Sequence, residues 1–310
     1  MALDEMPATY RIGDASVTKV PEITADFPAG KLLPGYEPAA PPPGREGSQP
    51  LGGDGDQLPL SIHSWLVRTG AMTVLVDTGV GNGKHRASTL FTGLDTPWLD
   101  RLAAAGARPE DVTHVLLTHL HTDHVGWNTV PGAGGWVPTF PNALTLMPRL
   151  GYNLFTAPGG RSRPNHDMFA DSILPVVEAG LAEFVPPEGG EVLSGFTYLP
   201  TPGHSQDHMS ILFRAEGQEA LFAGDVLHHP VQAARPDLSS MFCETPEEAR
   251  QSRVRMLDLA AERGLTWFSS HCAGPSAGTV TRDGQGYVWS FHAADTPPSS
   301  MPSTDRGRSA

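Results

Sequence analysis

The sequence predicts an α/β layered domain whose functional site lies on loops at one edge of a β-sheet. The first observation is an alternation of short apolar runs, typical of strands, with segments that have helical spacing of apolar residues. The second is that several histidines and aspartates stand directly after strand-like runs. The third is size, because 310 residues with 39% hydrophobic residues suffice for a substantial buried core.

The N-terminal part is predicted to hold one or two strands and then an irregular arm. Residues 8–24 have strand character, with Gly13 and Asp14 as the turn. Residues 27–59 are dense in proline and glycine and have no period. This composition predicts a segment that is either disordered or packed as an arm.

The rest of the chain alternates between strands and helices. Two apolar runs around Thr69–Gly70 predict a hairpin that ends at Asp77. Thr245, with Pro246 and Glu248 after it, predicts a helix that starts with a capping box and ends at Gly264. The other predicted helices cover 97–106 and part of 164–180, and the other predicted strands cover 112–118, 144–147, 182–186, 191–200, 208–215, 219–227 and 265–271.

These elements divide the chain into three parts. Residues 1–59 form the N-terminal strands and arm, residues 60–292 form the main domain, and residues 293–310 form a Ser/Pro-rich tail expected to be disordered. No apolar run reaches the length of a membrane-spanning helix. The N-terminus lacks the basic region and apolar block of a secretory signal, so we expect a cytoplasmic protein.

The composition also excludes several classes of protein. The formal net charge is −13 and no Lys/Arg cluster is present, which argues against a nucleic-acid binder. Cys243 and Cys272 are the two cysteines and form no Cys-x-x-Cys pair, which excludes a disulfide scaffold and a thiolate zinc finger. We expect a small-molecule partner, with neither nucleic acid nor membrane.

The densest run of potential metal ligands is VLLTHLHTDHVGWN, residues 115–128. His119, His121, Asp123 and His124 fall within six positions, directly after an apolar run. Zinc takes about four ligands from His, Cys and carboxylate groups. His119 and His121 can face one ion, and Asp123 and His124 can face a second ion about 3.5–4 Å away. A His-rich surface loop without function is the alternative.

Three further segments offer ligands directly after strand-like runs. His204 follows Pro202–Gly203, Asp225 follows Gly224, and His271 follows the run LTWFSS. A lone histidine at a strand end is more often a hydrogen-bonded structural residue than a ligand, and Asp225 alone could be a turn former after glycine. Together with the His-rich loop they make seven ligands, enough for two metal sites.

The order His-x-His-x-Asp-His, PGH, GD and a late His resembles the metallo-β-lactamase superfamily, over about residues 60–275. The resemblance implies a single-domain αββα sandwich with two metals in a cleft at the sheet edge. VLVDTG resembles the second-strand motif of the family, so Asp77 would orient the His loop; a turn-forming Asp is the alternative. The implied ligand sets are His119, His121 and His204 for one metal, Asp123, His124 and His271 for the other, and Asp225 as the bridge.

The resemblance also implies a mechanism and a cofactor. We expect two divalent ions per chain, zinc first, with manganese, cobalt or iron as alternatives. A metal-bound hydroxide would attack a carbonyl or phosphoryl centre, and one ion would stabilise the developing oxyanion. Asp123 could also pass a proton to the leaving group. No Gly-x-Ser-x-Gly elbow argues for a serine hydrolase.

Among the branches of the superfamily, the acyl-homoserine-lactone lactonases and methyl-parathion-hydrolase-like enzymes resemble this chain most. Class B1 β-lactamases have Cys where this chain has Asp225, glyoxalase II adds a helical domain, and the nucleases add a large insertion. Many lactonases carry Tyr three residues after the bridging Asp, where this chain has His228. An imidazole can donate the same hydrogen bond to a substrate oxygen, although His228 has a structural explanation as well.

The sequence therefore predicts a dinuclear zinc hydrolase, a quorum-quenching type of enzyme that opens a lactone or cleaves a related ester. The alternatives are an organophosphate or aryl-ester hydrolase on the same site, a mononuclear iron dioxygenase or thioesterase, and a metal-stabilised binding protein. The arm of residues 27–59 could wrap a second subunit and make a homodimer, or cover the cleft. Aromatic residues that would suit an apolar acyl or aryl group, with core packing as the alternative, are Trp127, Trp136, Phe140 and Phe242.

Overall fold

The computed structural model describes residues 8–37, 56–163, 166–284 and 286–295. Within these ranges two large sheets pack face to face, and helices cover their outer faces. The first sheet has the strand order β1-β2-β3-β4-β5-β8-β9. Its strands are β1 (Thr9–Ile12), β2 (Ala15–Pro28), β3 (Gln57–Arg68), β4 (Thr73–Val76), β5 (His114–Leu116), β8 (Leu144–Pro148) and β9 (Ala182–Val185).

The second sheet has the strand order β10-β11-β12-β13-β14-β15-β16. Its strands are β10 (Gly190–Leu193), β11 (Phe196–Pro200), β12 (Met209–Ala215), β13 (Gln218–Phe222), β14 (Thr266–Phe268), β15 (Ala277–Asp283) and β16 (Gly286–Phe291). A small separate ribbon joins β6 (Thr129–Gly132) to β7 (Gly135–Pro138). The helices are α1 (Ala29–Leu32), α2 (Trp98–Ala104), α3 (Arg149–Thr156), α4 (His166–Met168), α5 (Leu174–Glu178), α6 (Val231–Ala234) and α7 (Pro246–Arg263).

Three apolar clusters hold the layers together. The cluster between the sheets contains Trp65 of β3 and Phe222 and Phe268 of the second sheet, whose rings lie 4.7–6.5 Å apart. A second cluster packs α2 against the outer face of the first sheet, and a third packs α7 against the second sheet. Each sheet is therefore buried on both faces, which explains why its strands read as continuous apolar runs. The predicted αββα fold class is confirmed.

The pairing of β2 with β3 shows that part of the predicted arm is a regular strand and helix. β2 pairs with β3 along its whole length, from Ser16 opposite Arg68 to Pro28 opposite Gln57. Residues 29–32 form α1, whose leucine is buried together with Leu58 and Leu60 of β3. Burial of these leucines outweighs the local proline and glycine content, because apolar burial is worth more than loop propensity. The remaining part of the predicted arm, residues 38–55, lies outside the described residues.

The domain boundary predicted between residues 59 and 60 falls inside β3, so the N-terminal strands share a sheet with the predicted main domain. The hairpin at Thr69–Gly70 and the helix ending at Gly264 are present, with that glycine in the left-handed conformation. The predicted capping box is wrong, because the side chain of Thr245 makes no capping hydrogen bond.

Two features of the second sheet were missed. The run 191–200, predicted as one strand, is the β10–β11 hairpin, which turns at Gly195 with φ of +83°. β15 and β16 were not predicted. The predicted tail is described only to Asp295, and residues 296–310 lie outside the described residues. In the described part of the chain, no helix combines the length and apolar character needed to cross a membrane.

Candidate metal centre

The seven predicted ligands all stand just beyond strands of the two sheets. The His-rich loop follows β5, His204 follows β11, Asp225 follows β13, and His271 follows β14. β4 and β5 are parallel, as are β13 and β14, so their carboxyl ends meet at one edge of the sandwich. Polar side chains on these strand ends converge because the apolar strands beneath them are fixed by the core.

The His loop is fixed by the turn that follows β4. The backbone N–H of Thr78 donates to the carbonyl of His124 at 2.7 Å, and the N–H of Gly126 donates to Gly79 at 2.7 Å. A Cβ on Gly126 would lie 1.7 Å from the carbonyl oxygen of Val80. Only glycine fits at this position, because the two backbone segments approach closely.

The structure brings the seven side chains together in overlapping groups. One group joins His119, His121 and His204, and another joins Asp123, His124 and His271, with ligand atoms within 4.8 Å of one another in each. These are the two sets that the resemblance implied. The Nε2 atoms of His124, His204 and His271 lie 3.2, 3.2 and 3.1 Å from the carboxylate oxygens of Asp225, which stands between the two groups.

Hydrogen bonds fix one nitrogen of several rings and leave the other facing the cluster. His119 Nδ1 lies 3.0 Å from Thr118 Oγ1, and His271 Nδ1 lies 3.1 Å from the carbonyl oxygen of Ser61. His119 Nε2, His124 Nε2 and Asp225 Oδ1 are buried and make no hydrogen bond. Buried polar atoms without partners are rare in folded proteins, and a bound cation would satisfy all three. The donor set of imidazoles and carboxylates fits a divalent metal such as zinc.

Asp77 lies where the second-strand motif implied it, behind the His loop. Its Oδ2 lies 2.9 Å from His124 Nδ1, and its Oδ1 accepts the backbone N–H of Thr118 at 2.8 Å. The hydroxyl of Thr118 also donates to this carboxylate and lies 3.0 Å from His119 Nδ1. Asp77 therefore touches one candidate ligand directly and a second through one hydroxyl. It has φ of +55°, a left-handed conformation that the surrounding hydrogen bonds hold in place.

The electrostatic field of the cluster favours positive charge. Burial lowers the pKa of His124, but Asp225, Asp123 and Asp77 raise it more, so it lies well above the usual value. For His119, burial and the neighbouring histidines hold the pKa well below its usual value, so this ring is a neutral ligand. Histidine must be neutral to bind a metal, and nearby carboxylates attract the cation that replaces the proton.

Sequence reasoning missed His208, which is buried beside the cluster. Its Nε2 accepts the backbone N–H of Asp225 at 2.8 Å, and its Nδ1 lies 2.8 Å from Thr201 Oγ1. Burial lowers its pKa to about 3, so the ring is neutral. Because its Nε2 lone pair is already used, His208 orients Asp225 and is not itself a candidate ligand. The sequence did carry a signal for this residue. His208 stands directly before the apolar run of β12, and the other histidines of the site also stand beside strands.

Glu22 was also missed. This buried carboxylate of β2 accepts hydrogen bonds from the backbone N–H groups of Val80 and Gly81 at 2.6 and 3.1 Å. It also accepts the Trp127 Nε1–H at 2.7 Å. Burial raises the pKa of Glu22 to about 7 in spite of these donors. Nothing in the sequence signals a carboxylate within an apolar strand that supports a turn 58 residues later.

A cavity of 460 Å³ opens over the cluster, a size typical of small-molecule sites. We call its polar side the floor and its apolar side the wall. The floor consists of His121, Asp123, His204, Asp225, His228 and His271. The wall consists of Ile23, Ala25 and Phe27 of β2, Leu60 and Ile62 of β3, Leu90, Phe91 and Phe242.

Of the four aromatic residues predicted to line the pocket, Phe242 belongs to the wall and the other three do not. Trp127 stacks on Trp98 with ring centroids 5.1 Å apart, and Phe140 packs on the same tryptophan. Trp136 lies on β7 with the Lys84 ammonium 3.7 Å from its ring centroid. Their nearness to the His loop in sequence reflects packing behind that loop.

His228 lies in the floor at the predicted position. Its Nε2 is 3.3 Å from Asp225 Oδ2, and its ring stacks on His271 at 5.2 Å. Burial lowers the pKa of His228, so the ring is neutral at pH 7 and carries one N–H. The side-chain oxygen of Gln232 accepts the backbone N–H groups of His228 and His229, which fixes the turn that presents the ring.

Comparison with known proteins agrees with this geometry. The model of the metallo-beta-lactamase superfamily matches residues 58–271. The chain belongs to this superfamily. The family and the fold class predicted from the motifs are thereby confirmed.

Relatives of this superfamily member include a thioesterase and a lactonase. An atrochrysone carboxyl ACP thioesterase of Claviceps purpurea is 30% identical over 63% of this chain and 49% of its own length. An N-acyl homoserine lactonase of Bacillus cereus is 28% identical over 52% of this chain and 62% of its own. The chain thus spans about half the length of the curated relatives it matches. Family membership and these relatives support a metal-dependent hydrolase.

Among solved structures, AidC, a dizinc quorum-quenching lactonase in complex with a product, superimposes with a TM-score of 0.73. The match is 18% identical and covers 94% of this chain and 99% of the lactonase. At this identity the likeness concerns the fold.

Proposed function

We propose that this chain is a dinuclear metal hydrolase that opens a lactone or cleaves a related ester. The observation that carries the proposal is the convergence of seven histidine and aspartate side chains at the floor of a cavity with an apolar wall. The lactonase relative of Bacillus cereus supports the same substrate class, and the dizinc lactonase has the same fold. The acidic chain offers no basic cluster for nucleic acid, so the partner is a small molecule.

In this proposal, each group of side chains holds one divalent ion, zinc first. Asp225 is shared, because its carboxylate oxygens lie within 3.2 Å of histidine nitrogens from both groups. The ligands are His119, His121 and His204 for one ion, Asp123, His124 and His271 for the other, and Asp225 for both. When bound, such ions lower the pKa of water enough to supply hydroxide near neutral pH and act as a Lewis acid.

The protein's own side chains complete the chemistry. Asp123 is partly exposed in the floor, so its carboxylate can receive a proton and pass it to the leaving group. The neutral ring of His228 can donate its N–H to the substrate carbonyl oxygen, in the role of the tyrosine that many lactonases have. The wall excludes water and accepts the apolar acyl group.

Proton release measured by pH-stat tests the proposal. An acyl-homoserine lactone is added to the purified protein, with and without chelator, and bound metal is counted by elemental analysis. Opening a lactone generates a carboxylic acid, so we expect acid release that stops with chelator and returns with zinc. A protein that holds two metals and releases no acid from any lactone or ester would overturn the proposal.

A His228→Phe variant tests the role of the floor histidine in the same assay. We expect lower kcat with two metals still bound, because phenylalanine keeps the ring and loses the N–H donor. His228→Tyr is the matched control, since a phenol restores a donor and should recover part of the activity. Equal losses in both variants would contradict a hydrogen-bonding role.

Thioester hydrolysis is the second candidate. It rests on the thioesterase of Claviceps purpurea, which is 30% identical over 200 residues. The same floor would serve, because a thioester carbonyl is attacked in the same way as an ester carbonyl. Faster hydrolysis of an acyl thioester than of the matched oxygen ester and lactone would favour this candidate.

A further inference from the structure

The segment 83–94 forms a closed loop at the edge of the cavity. Its ends are joined by backbone hydrogen bonds of 2.8 Å from Gly83 to Leu94 and from Gly93 to Lys84. Between them, five residues line the cavity: Arg86, Ala87, Ser88, Leu90 and Phe91. We call residues 83–94 the cavity loop.

One side chain anchors the tip of the cavity loop. Within residues 85–91, all of which the structure describes, Arg86 is the only buried residue, at 4% exposure. Its Nη1 and Nη2 donate to the two carboxylate oxygens of Asp171 at 2.6 and 2.8 Å. Paired hydrogen bonds of this kind fix both distance and orientation.

Asp171 also holds the base of the loop. Lys84 Nζ lies 3.4 Å from Asp171 Oδ1 and donates to Thr129 Oγ1 at 2.7 Å, and the hydroxyl of Thr129 donates to the backbone oxygen of Asp171 at 2.5 Å. Ser172 donates to the same carboxylate at 2.5 Å. Asp171 sits in a π-helical turn, Phe169–Ile173, a rare geometry that is frequent at functional sites. Two buried cations of one loop thus depend on a single carboxylate.

We propose that Asp171 is a positioning residue that sets substrate selectivity by holding the cavity loop against the cavity. The inference rests on the proposed esterase or lactonase function of the floor. Arg86 lines the cavity, but its side chain donates to Asp171, Ser172 and the backbone of its own loop, and none of these groups belongs to the floor. Its interaction with Asp171 therefore acts on the shape of the cavity. The substrates affected are esters or lactones whose apolar acyl group reaches Leu90 and Phe91.

Loss of the carboxylate should loosen the loop before it unfolds the domain. A buried cation without its partner is strongly unfavourable, and the loop can relieve this by moving Arg86 into water. The exposed and half-exposed side chains of residues 87–91 contribute little burial that would resist the movement. The apolar core clusters include none of the loop residues.

Asp171→Asn in the metal-loaded protein tests the proposal, with 4-nitrophenyl acetate and decanoate as substrates. We expect KM for the decanoate to rise about tenfold, with kcat and metal content unchanged and kcat/KM for the acetate within about twofold. Asp167→Asn, the same change at an exposed position, is the matched control and should behave like the wild type. An equal loss for both esters, or an unchanged ratio between them, would overturn the proposal.

Two further measurements keep the test decisive. If Asp171→Asn does not fold, a Leu90→Ala/Phe91→Ala variant must show the same selective loss for the decanoate, and an unchanged ratio would overturn the proposal. If the wild type hydrolyses neither ester, the pH-stat assay with lactones and other esters decides the proposed function, and selectivity is read from the affinities of decanoate and butyrate by calorimetry. A decanoate preference that is lost in Asp171→Asn would support the role of Asp171, and a preference that survives would refute it.

Discussion

In and behind the floor of the cavity, several buried rings are oriented by hydrogen bonds to groups on neighbouring strands and turns, such as the one that His124 Nδ1 donates to the carboxylate of Asp77. The wall is built differently, because Ile23, Ala25 and Phe27 alternate along β2 and contact their neighbours by packing alone. Hydrogen bonds specify position to a fraction of an ångström, whereas apolar packing tolerates exchange of side chains of similar volume. The difference predicts that floor variants abolish the reaction and that wall variants change which substrate is used.

The largest loss of metal binding and activity is expected when Asp225 is replaced, because this residue stands between the two groups of ligands. Asp225→Ala should lose one metal and reduce kcat/KM by more than the ~100-fold that removing an outer partner of a ligand can cost. Elemental analysis and steady-state kinetics on the purified variant measure both quantities. Asp237→Ala, an exposed aspartate paired with Arg235, is the control. Retention of both metals would refute the bridging role.

Asp77 comes next, because it orients ligands without lying among them. Asp77→Asn keeps the size of the side chain and removes the charge that holds His124 and Thr118. We expect metal affinity to fall by about 10–100-fold, measured by competition with a chromophoric chelator, while saturating zinc restores most of the activity. Unchanged metal affinity would show that Asp77 only forms the turn, which is the alternative that the sequence also allows.

A wall variant should separate substrate binding from chemistry. Phe242 is 40% exposed, and its ring packs 6.0 Å from Phe27 and 5.8 Å from His228. Phe242→Ala should raise KM for a long-chain ester by up to about tenfold and leave kcat and metal content close to wild type. Phe291→Ala, an exposed phenylalanine outside the cavity, is the control. A fall in kcat equal to that of a floor variant would remove the distinction between floor and wall.

The same distinction explains what the sequence could and could not predict. His119, His121, Asp123 and His124 were found because ligand chemistry demands particular residue types at fixed spacing, and one loop carries them. The strands beneath them were found because both faces are buried and the runs are apolar.

The wall could not be predicted in the same way. Its residues are ordinary apolar side chains from separate segments, and any of them could equally be core. Trp127 and Phe140 were assigned to the pocket by nearness in sequence, but they pack on Trp98 instead. The proline-rich composition after residue 27 concealed α1, because local propensity is a weak guide where leucines such as Leu32 are buried by tertiary contacts.

The smallest effect is expected on the pH dependence of stability, and it comes from His229. This residue is adjacent to a floor residue but does not line the cavity. Burial lowers its pKa to about 4, and its Nδ1 accepts the backbone N–H of Val231 at 3.3 Å. Between pH 6.5 and 4 the unfolded chain binds a proton at this position and the folded chain does not. The free energy of unfolding therefore falls as the pH falls, by about 1 kcal/mol from this group between pH 7 and 5.5.

His229→Asn isolates this contribution, because the asparagine oxygen can accept the same N–H and does not titrate. Urea midpoints of the metal-loaded wild type and variant at pH 7 and 5.5 measure it, since acid effects on the metal ligands are common to both proteins. The variant should lose less stability than the wild type over this range. Equal losses would mean that His229 binds its proton in the folded protein too, which its burial opposes. A measured difference, with activity unchanged, would separate a histidine that serves the fold from the neighbouring His228, which serves the floor.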